Sequence, residues 1–236
     1  MTAESGWIAA DWPAPAAVRA GVTTRRGGVS QGPYHSFNLA DHVGDDPVAV
    51  AENRTNLQQM LNLPAEPNWQ QQVHGTRVST LPAPGATADA SVSRRAGQVC
   101  AVLTADCLPV LLCDQRGTTV AAAHAGWRGL AAGVIRETVL AMQCASGELL
   151  AWLGPAIGPE AFEVGDEVYR AFVAADSGYA EAFKAGLMPG KWLLDLYAAA
   201  RRQLADLGVM QVYGGGHCTY RDAQRFYSYR RDRQTG

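Results

Sequence analysis

Short β-rich apolar runs, set at irregular intervals between helical stretches, constrain this chain more than any other feature. Residues 108–112, 120–123 and 149–153 are apolar runs of strand length. Residues 99–103 form another, cut off from 108–112 by Thr104-Ala105-Asp106-Cys107. Further strands are predicted at 18–24, 69–73, 209–213 and 226–230. Helices are predicted at about 130–142, 166–174 and 195–207, the last with Asp195 as N-cap. Another should start at Asp46–Pro47, an N-cap followed by proline at the first helical position. Val50, Leu57 and Leu61 then follow at helical spacing. Strict β–α–β alternation is absent, which favours mixed sheets over a Rossmann array. No linker divides the chain, so residues 1–236 are read as one α+β domain.

Composition narrows the function. A chain of 236 residues, 47% hydrophobic and 18% charged, can bury a core without disulfide staples. Twenty Lys+Arg against 22 Asp+Glu leave a net charge of −2, not the footprint of a nucleic-acid binder. The Arg-rich tail from Arg221 to Gly236 is too small to change that. Five cysteines, with no CxxC pair, argue against a disulfide framework and a zinc ribbon. The first fifteen residues lack the pattern of a signal peptide. No apolar stretch approaches the ~18–20 residues that span a bilayer. A reducing, cytoplasmic setting without membrane partners is expected.

Three side chains share a local setting. His74 ends a predicted strand, Cys107 lies in the polar break between two apolar runs, and His124 ends the run at 120–123. Two imidazoles and a thiolate with one open position make a catalytic zinc set, whereas structural zinc sites use four protein ligands. A water on such an ion has its pKa lowered to about 7. Other readings of these residues stay open. Cys107 could be a buried small hydrophobe with two hydrogen-bonded histidines nearby. It could be a nucleophile paired with His124. The same set could also hold copper, since His₂Cys is a blue-copper ligand set. Cys100, Cys113 and Cys144 read as structural. The Gly/Ser/Asn/Asp-rich stretch 25–47 is a long loop, ordered by Tyr34 and Phe37, and loops of that length are usually functional or disordered.

QVHG (72–75), TADCLPVLL (104–112), AAHAGWRG (122–129), GPAIGP (154–159), FEVGDEV (162–168) and FYSYRRDRQTG (226–236) together resemble one family. It is the YfiH family, also called peptidoglycan editing factor or laccase-domain proteins. The likeness runs from about Val22, through NLADHVGDDP (38–47), to the C-terminus. It implies a layered α/β sandwich with mixed sheets and zinc held at His74, Cys107 and His124. It also implies phosphorolysis of purine nucleosides (adenosine, inosine, guanosine, methylthioadenosine), with adenosine deamination. Older descriptions imply a copper polyphenol oxidase, and bacterial members imply editing of peptidoglycan precursors. Family members typically continue past Thr-Gly with Arg and a short apolar strand, a pattern from which this sequence departs at Gly236.

The residue inventory arbitrates among these activities. A multicopper laccase needs a histidine-rich trinuclear cluster, and after His74 and His124 only His35, His42 and His217 remain. The usual zinc deaminase signature, H-x-E with P-C-x-x-C, is missing, so deamination would need another arrangement. Asp106 is a candidate proton shuttle, or else a turn-capping residue. Arg128 is a candidate phosphate ligand, helped by backbone N–H groups if Gly126–Gly129 opens a helix; otherwise it is an exposed ion pair. Arg25 and Arg26 could reach phosphate or be a solvated pair. Asn38 could read a purine edge or ribose hydroxyl, or form an Asx turn. Ser228 and Arg230, two apart, would share one strand face and line the pocket floor. The expected small-molecule partners are therefore a nucleoside and phosphate.

Overall fold

A six-stranded mixed sheet carries the site. The computed structural model describes residues 6–236; residues 1–5, where the stretch inspected for a leader begins, lie outside the described residues. In chain order the strands are β1 (Trp7–Ala9), β2 (Gly21–Thr23), β3 (Val78–Thr80), β4 (Ala90–Ser93), β5 (Leu108–Asp114), β6 (Val120–Ala125), β7 (Leu149–Leu153), β8 (Glu163–Gly165), β9 (Phe183–Ala185), β10 (Lys191–Leu194) and β11 (Gln211–Gly214). The helices are α1 (Pro47–Leu61), α2 (Trp127–Ala132), α3 (Val134–Met142), α4 (Asp166–Ala175), α5 (Leu196–Asp206) and α6 (Tyr229–Asp232). The main sheet has the order β11-β7-β5-β6-β4-β3. Its outer pairs are parallel and its inner pairs antiparallel. A three-stranded sheet, β8-β10-β9, and the β1-β2 pair complete a mixed-sheet α+β architecture.

The central strands are apolar without alternation because both their faces are covered. Leu108, Val110 and Leu112 of β5 are buried, as are all five residues of β7. The alanines of β6 are small enough for α3 to lie close against it. One apolar cluster runs from this sheet through α3 and α5 to Phe172 and Phe183. Each fully buried leucine contributes about 2 kcal/mol of transfer free energy. Among the described residues, no helix is long and apolar enough to cross a membrane.

The predicted α1 is present. The Asp46 carboxylate accepts from the Val48 N–H, and Pro47 follows. Its buried face also carries Asn53, fully buried, whose amide donates to Ser30 Oγ and the Asn38 carbonyl and whose Oδ1 accepts from Val29 N–H. That amide orders the 25–47 loop, along with buried Tyr34 and Phe37. Asp195 caps α5 as expected, accepting from Ala198 N–H.

Several elements differ from expectation. The helix predicted at 130–142 begins earlier, at Trp127, and is split at Gly133, whose φ of +95° ends α2 and starts α3. Stretches 69–73 and 99–103 are extended but join no ladder; they make isolated bridges at Gln71–Thr87 and Asn68–Cys100. Residues 226–230 are not a strand. Ser228 instead caps α6, accepting from Arg231 N–H. Serine at a cap offers the backbone a local bond that outcompetes strand pairing. Ser228 and Arg230 therefore share no strand face.

Candidate metal centre

Topology brings the ligands together. Strands β4 and β5 both run antiparallel to β6, with Ala90 opposite Ala123 and Leu108 opposite Ala125. The starts of β4 and β5 therefore lie at the same sheet edge as the end of β6. Cys107 immediately precedes β5, His124 is the penultimate residue of β6, and Asp89 immediately precedes β4. His74 arrives from outside the sheet, on the loop before β3. Its φ is +59°, a left-handed conformation uncommon for a residue with a Cβ.

Asp89 holds that loop, and sequence reasoning missed it. The carboxylate is fully buried. Its Oδ1 accepts from the His74 N–H at 2.8 Å and faces His124 Nδ1 at 2.9 Å. Its Oδ2 accepts from Gly75 N–H at 2.7 Å and Val73 N–H at 3.1 Å. One carboxylate thus fixes the backbone of one imidazole and the ring orientation of the other. With Nδ1 turned to Asp89, Nε2 of His124 is left for a metal, the carboxylate–histidine arrangement of metal sites. Burial works against the charged form of Asp89, but the His124 and backbone bonds outweigh it and hold the carboxyl below its usual range. The only trace in the sequence was the likeness of TADA (87–90) to TADC (104–107), each placing an aspartate at the start of a strand.

The donor atoms of His74, Cys107 and His124 all lie within 4.8 Å of one another. Cys107 Sγ is 3.8 Å from His74 Nε2, and the two imidazoles meet edge to face at 4.7 Å. Tetrahedral zinc, with Zn–N near 2.0 Å and Zn–S near 2.3 Å, sets nitrogen and sulfur about 3.5 Å apart. The donor set and its spacing therefore fit such an ion with little adjustment. The thiols separate in the same sense. Burial pushes Cys100 up to about 11 and Cys113, beside Asp114, up to about 12. Burial also opposes the Cys107 thiolate, but His124 and His74 bring that thiol down to about 7. Burial would lower His124, yet Asp89 and Cys107 raise it to about 9. A thiol poised near neutrality yields its proton readily to an arriving cation. Among the described residues this is the one cluster of three or more His, Cys, Asp or Glu side chains spaced to hold an ion.

Gly126 makes room for the cluster. A Cβ there would sit 2.8 Å from His74 Cδ2 and 2.9 Å from Cys107 Sγ. His74 is exposed and Cys107 half-buried, and both line a cleft of about 1550 Å³ whose lining also includes Arg94 and Trp12. Arg128 lines the same cleft, exposed, with its guanidinium over the Trp127 ring and no carboxylate partner among the described residues. Gly126 does cap a helix, but α2 has only six residues and little dipole to offer an anion.

The remaining candidates make these contacts, Asn38 taking the Asx-turn alternative that the sequence left open. The Asn38 side chain closes an Asx turn, accepting from Ala40 N–H and donating to Asp45. Ser228 is fully buried, and its hydroxyl donates to Asp106. Asp106 accepts from Thr219, Ser228 and the Arg230 N–H, so its oxygens are engaged rather than free to shuttle a proton. Arg230 reaches the Glu163 carbonyl at 2.7 Å and lies over Phe162. Arg25 and Arg26 bind the carbonyls of His35, Ala223 and Gln224.

The geometry has close relatives. Residues 19–236 match the family model described as multi-copper polyphenol oxidoreductase laccase. The chain is 55% identical over 233 residues to a purine nucleoside phosphorylase of Pseudomonas aeruginosa, covering 98% of this chain and 96% of that protein. It is 53% identical over 233 residues to the purine nucleoside phosphorylase YfiH of Escherichia coli, covering 97% and 95%. The crystal structure of Neisseria meningitidis protein NMB0706 superposes with a TM-score of 0.93 at 51% identity, over 98% of this chain and 96% of that one. YlmD from Geobacillus stearothermophilus superposes with a TM-score of 0.89 at 31% identity, over 100% and 95%. This chain belongs to the laccase-domain family that includes the YfiH proteins.

Proposed function

We propose that this protein is a zinc-dependent purine nucleoside phosphorylase acting on adenosine, inosine, guanosine and methylthioadenosine, with adenosine deamination as a second activity. The observation that carries the reading is the convergence of His74, Cys107 and His124 in a cleft that also holds Arg128, which has no carboxylate partner among the described residues. The names of relatives above 50% identity support the same reaction. A phosphate oxygen bonds to the ribose anomeric carbon and the bond to purine N9 breaks. The bonding pair leaves with the purine, which takes up a proton, and ribose 1-phosphate is the other product. His74, Cys107 and His124 would hold a divalent ion, which when bound would supply Lewis-acid stabilisation of charge building on the purine.

The chain's own residues do the rest. Arg128 offsets the phosphate charge in the cleft, where its guanidinium stacks on Trp127 and has no carboxylate partner among the described residues to compete for it. Arg230 and the 60% exposed ring of Tyr229 lie on the cleft wall, giving the purine a face to stack on. Asp89 keeps His124 in one orientation throughout. Asn38 and Asp106 line the cleft, and the buried Ser228 supports Asp106 through its hydroxyl. A reducing, cytoplasmic setting suits a protein that needs Cys107 as a free thiolate.

Incubating purified protein with adenosine, with and without phosphate and chelator, tests this. Adenine and ribose 1-phosphate are expected with phosphate and inosine without it, both lost with Cys107→Ala. Absence of both products, or their survival in that variant, defeats the reading. Arg128→Ala should raise the KM for phosphate about tenfold or more while leaving bound metal unchanged. The family description favours a second reading, copper-dependent phenol oxidation. Phenol turnover by copper-loaded protein exceeding nucleoside turnover would select it. Editing of peptidoglycan precursors stays a third proposal, selected by turnover of muramyl-peptide precursors.

A further inference from the structure

Asp89 organises two of the three candidate ligands; the third, Cys107, has a different neighbour. Asp106 is 8% exposed and adopts a φ of +91°, a conformation rare outside glycine. Its Oδ1 accepts from Thr219 Oγ1 at 2.6 Å. Its Oδ2 accepts from Ser228 Oγ at 3.0 Å and Arg230 N–H at 2.7 Å. Its carbonyl accepts from Ile157 N–H at 2.9 Å, in the GPAIGP corner. The donors from residues 219–230 lie more than a hundred residues away in sequence. They belong to the C-terminal segment that supplies Phe226, Tyr229, Arg230 and Arg233 to the cleft wall.

We propose that Asp106 is a positioning residue that locks the C-terminal wall of the cleft to the backbone that aims the Cys107 sulfur. A left-handed backbone persists at a non-glycine residue only when its surroundings over-determine it. Here the three donors and the Ile157 bond do so. The sulfur direction at residue 107 follows from the backbone at residue 106. One carboxylate therefore sets both the thiolate's approach to an ion and the depth of the substrate cleft. The wall has other anchors. Arg231 binds the carbonyls of Thr219, Tyr220 and Phe226, and the Tyr197 hydroxyl lies 2.7 Å from the His217 carbonyl. Loss of Asp106 should displace the wall without unfolding the chain.

This inference rests on the metal and nucleoside reading of the site, and its test separates the two. Full-length protein is loaded with cobalt(II), and the thiolate-to-cobalt absorption band is recorded for wild type, Asp106→Asn, Thr219→Ala and Ser228→Ala. KM and kcat for inosine are measured in parallel with zinc. Asp106→Asn is expected to bind one equivalent of metal, shift the band, and raise KM about tenfold with a smaller fall in kcat. Thr219→Ala and Ser228→Ala should move both readouts the same way by less, and Ser228→Ala should add little in the Asp106→Asn background. If Asp106→Asn does not fold, the two donor variants carry the test. An unshifted band with unchanged KM overturns the proposal. Loss of kcat at unchanged KM, with one limb of the pH profile removed, also overturns it and makes Asp106 a proton shuttle. If wild type turns over no nucleoside, the functional reading fails, while the cobalt band still decides the role of Asp106.

Discussion

The two ends of the β5–β6 hairpin are built on opposite plans. At the turn end, Asp114 is fully buried and its carboxylate accepts from Thr118 N–H, Thr118 Oγ1 and Thr119 N–H, all within five residues. At the open end, Cys107 and His124 are held by groups remote in sequence. Asp89 reaches His124 across 35 residues, and Thr219, Ser228 and Arg230 reach Asp106 across more than a hundred. The turn end carries its one positive φ on Gly117, whereas His74 and Asp106 take positive φ with full side chains. Local closure gives a stable turn. Remote closure gives a site whose geometry is over-determined and whose strain the rest of the fold must hold.

The sharpest way to break this comparison is to remove the carboxylate at each end. Asp89→Ala should weaken metal binding at least about 100-fold in chelator competition, since it releases both imidazoles. It should also cost about 3–5 kcal/mol in denaturant melts, because three backbone donors and His124 lose their partner. Asp114→Ala should cost about 2–3 kcal/mol and leave metal affinity within twofold. Equal loss of metal binding from both would erase the distinction.

A smaller effect is expected from Gly126→Ala. Its Cβ would press on His74 and Cys107, so metal affinity should fall about tenfold while the melting midpoint moves little. An unchanged affinity would mean that the ligands give way freely, and that the open end is not over-determined.

The smallest effect concerns pH. Burial disfavours the charged form of Asp114, but the Thr118 and Thr119 bonds outweigh it and its carboxyl is lowered. A lowered carboxyl binds protons more weakly folded than unfolded. Its stabilisation is therefore present above the unfolded value near 4 and is lost as pH falls through the folded one. Asp114→Asn should flatten the acid limb of stability against pH. An acid limb unchanged by that variant would assign it to other carboxylates, Asp89 first.

What could be read from sequence follows the same division. The caps at Asp46 and Asp195 were legible because an N-cap and the backbone N–H groups it accepts from are neighbours in sequence. The apolar strands β5, β6 and β7 were legible because burial on both faces leaves a continuous run. Asp89 was not legible, since nothing near it in sequence shows that it gathers His74, Gly75 and His124. Ser228 and Arg230 were misplaced on a strand: the apolar and aromatic run around them reads as a strand, whereas the local cap bond to Arg231 N–H and the remote bonds of Ser228 and Arg230 to Asp106 hold the segment in a turn and a short helix.

By itself, the sequence determined the ligand types, the strands that end beside them and the family motifs, because these are properties of residues and their near neighbours. Only the tertiary structure decided that His74, Cys107 and His124 meet. Their convergence depends on the antiparallel order of β4, β5 and β6 and on two buried aspartates. The energy holding those aspartates in place comes from donors distant along the chain, which no local pattern encodes.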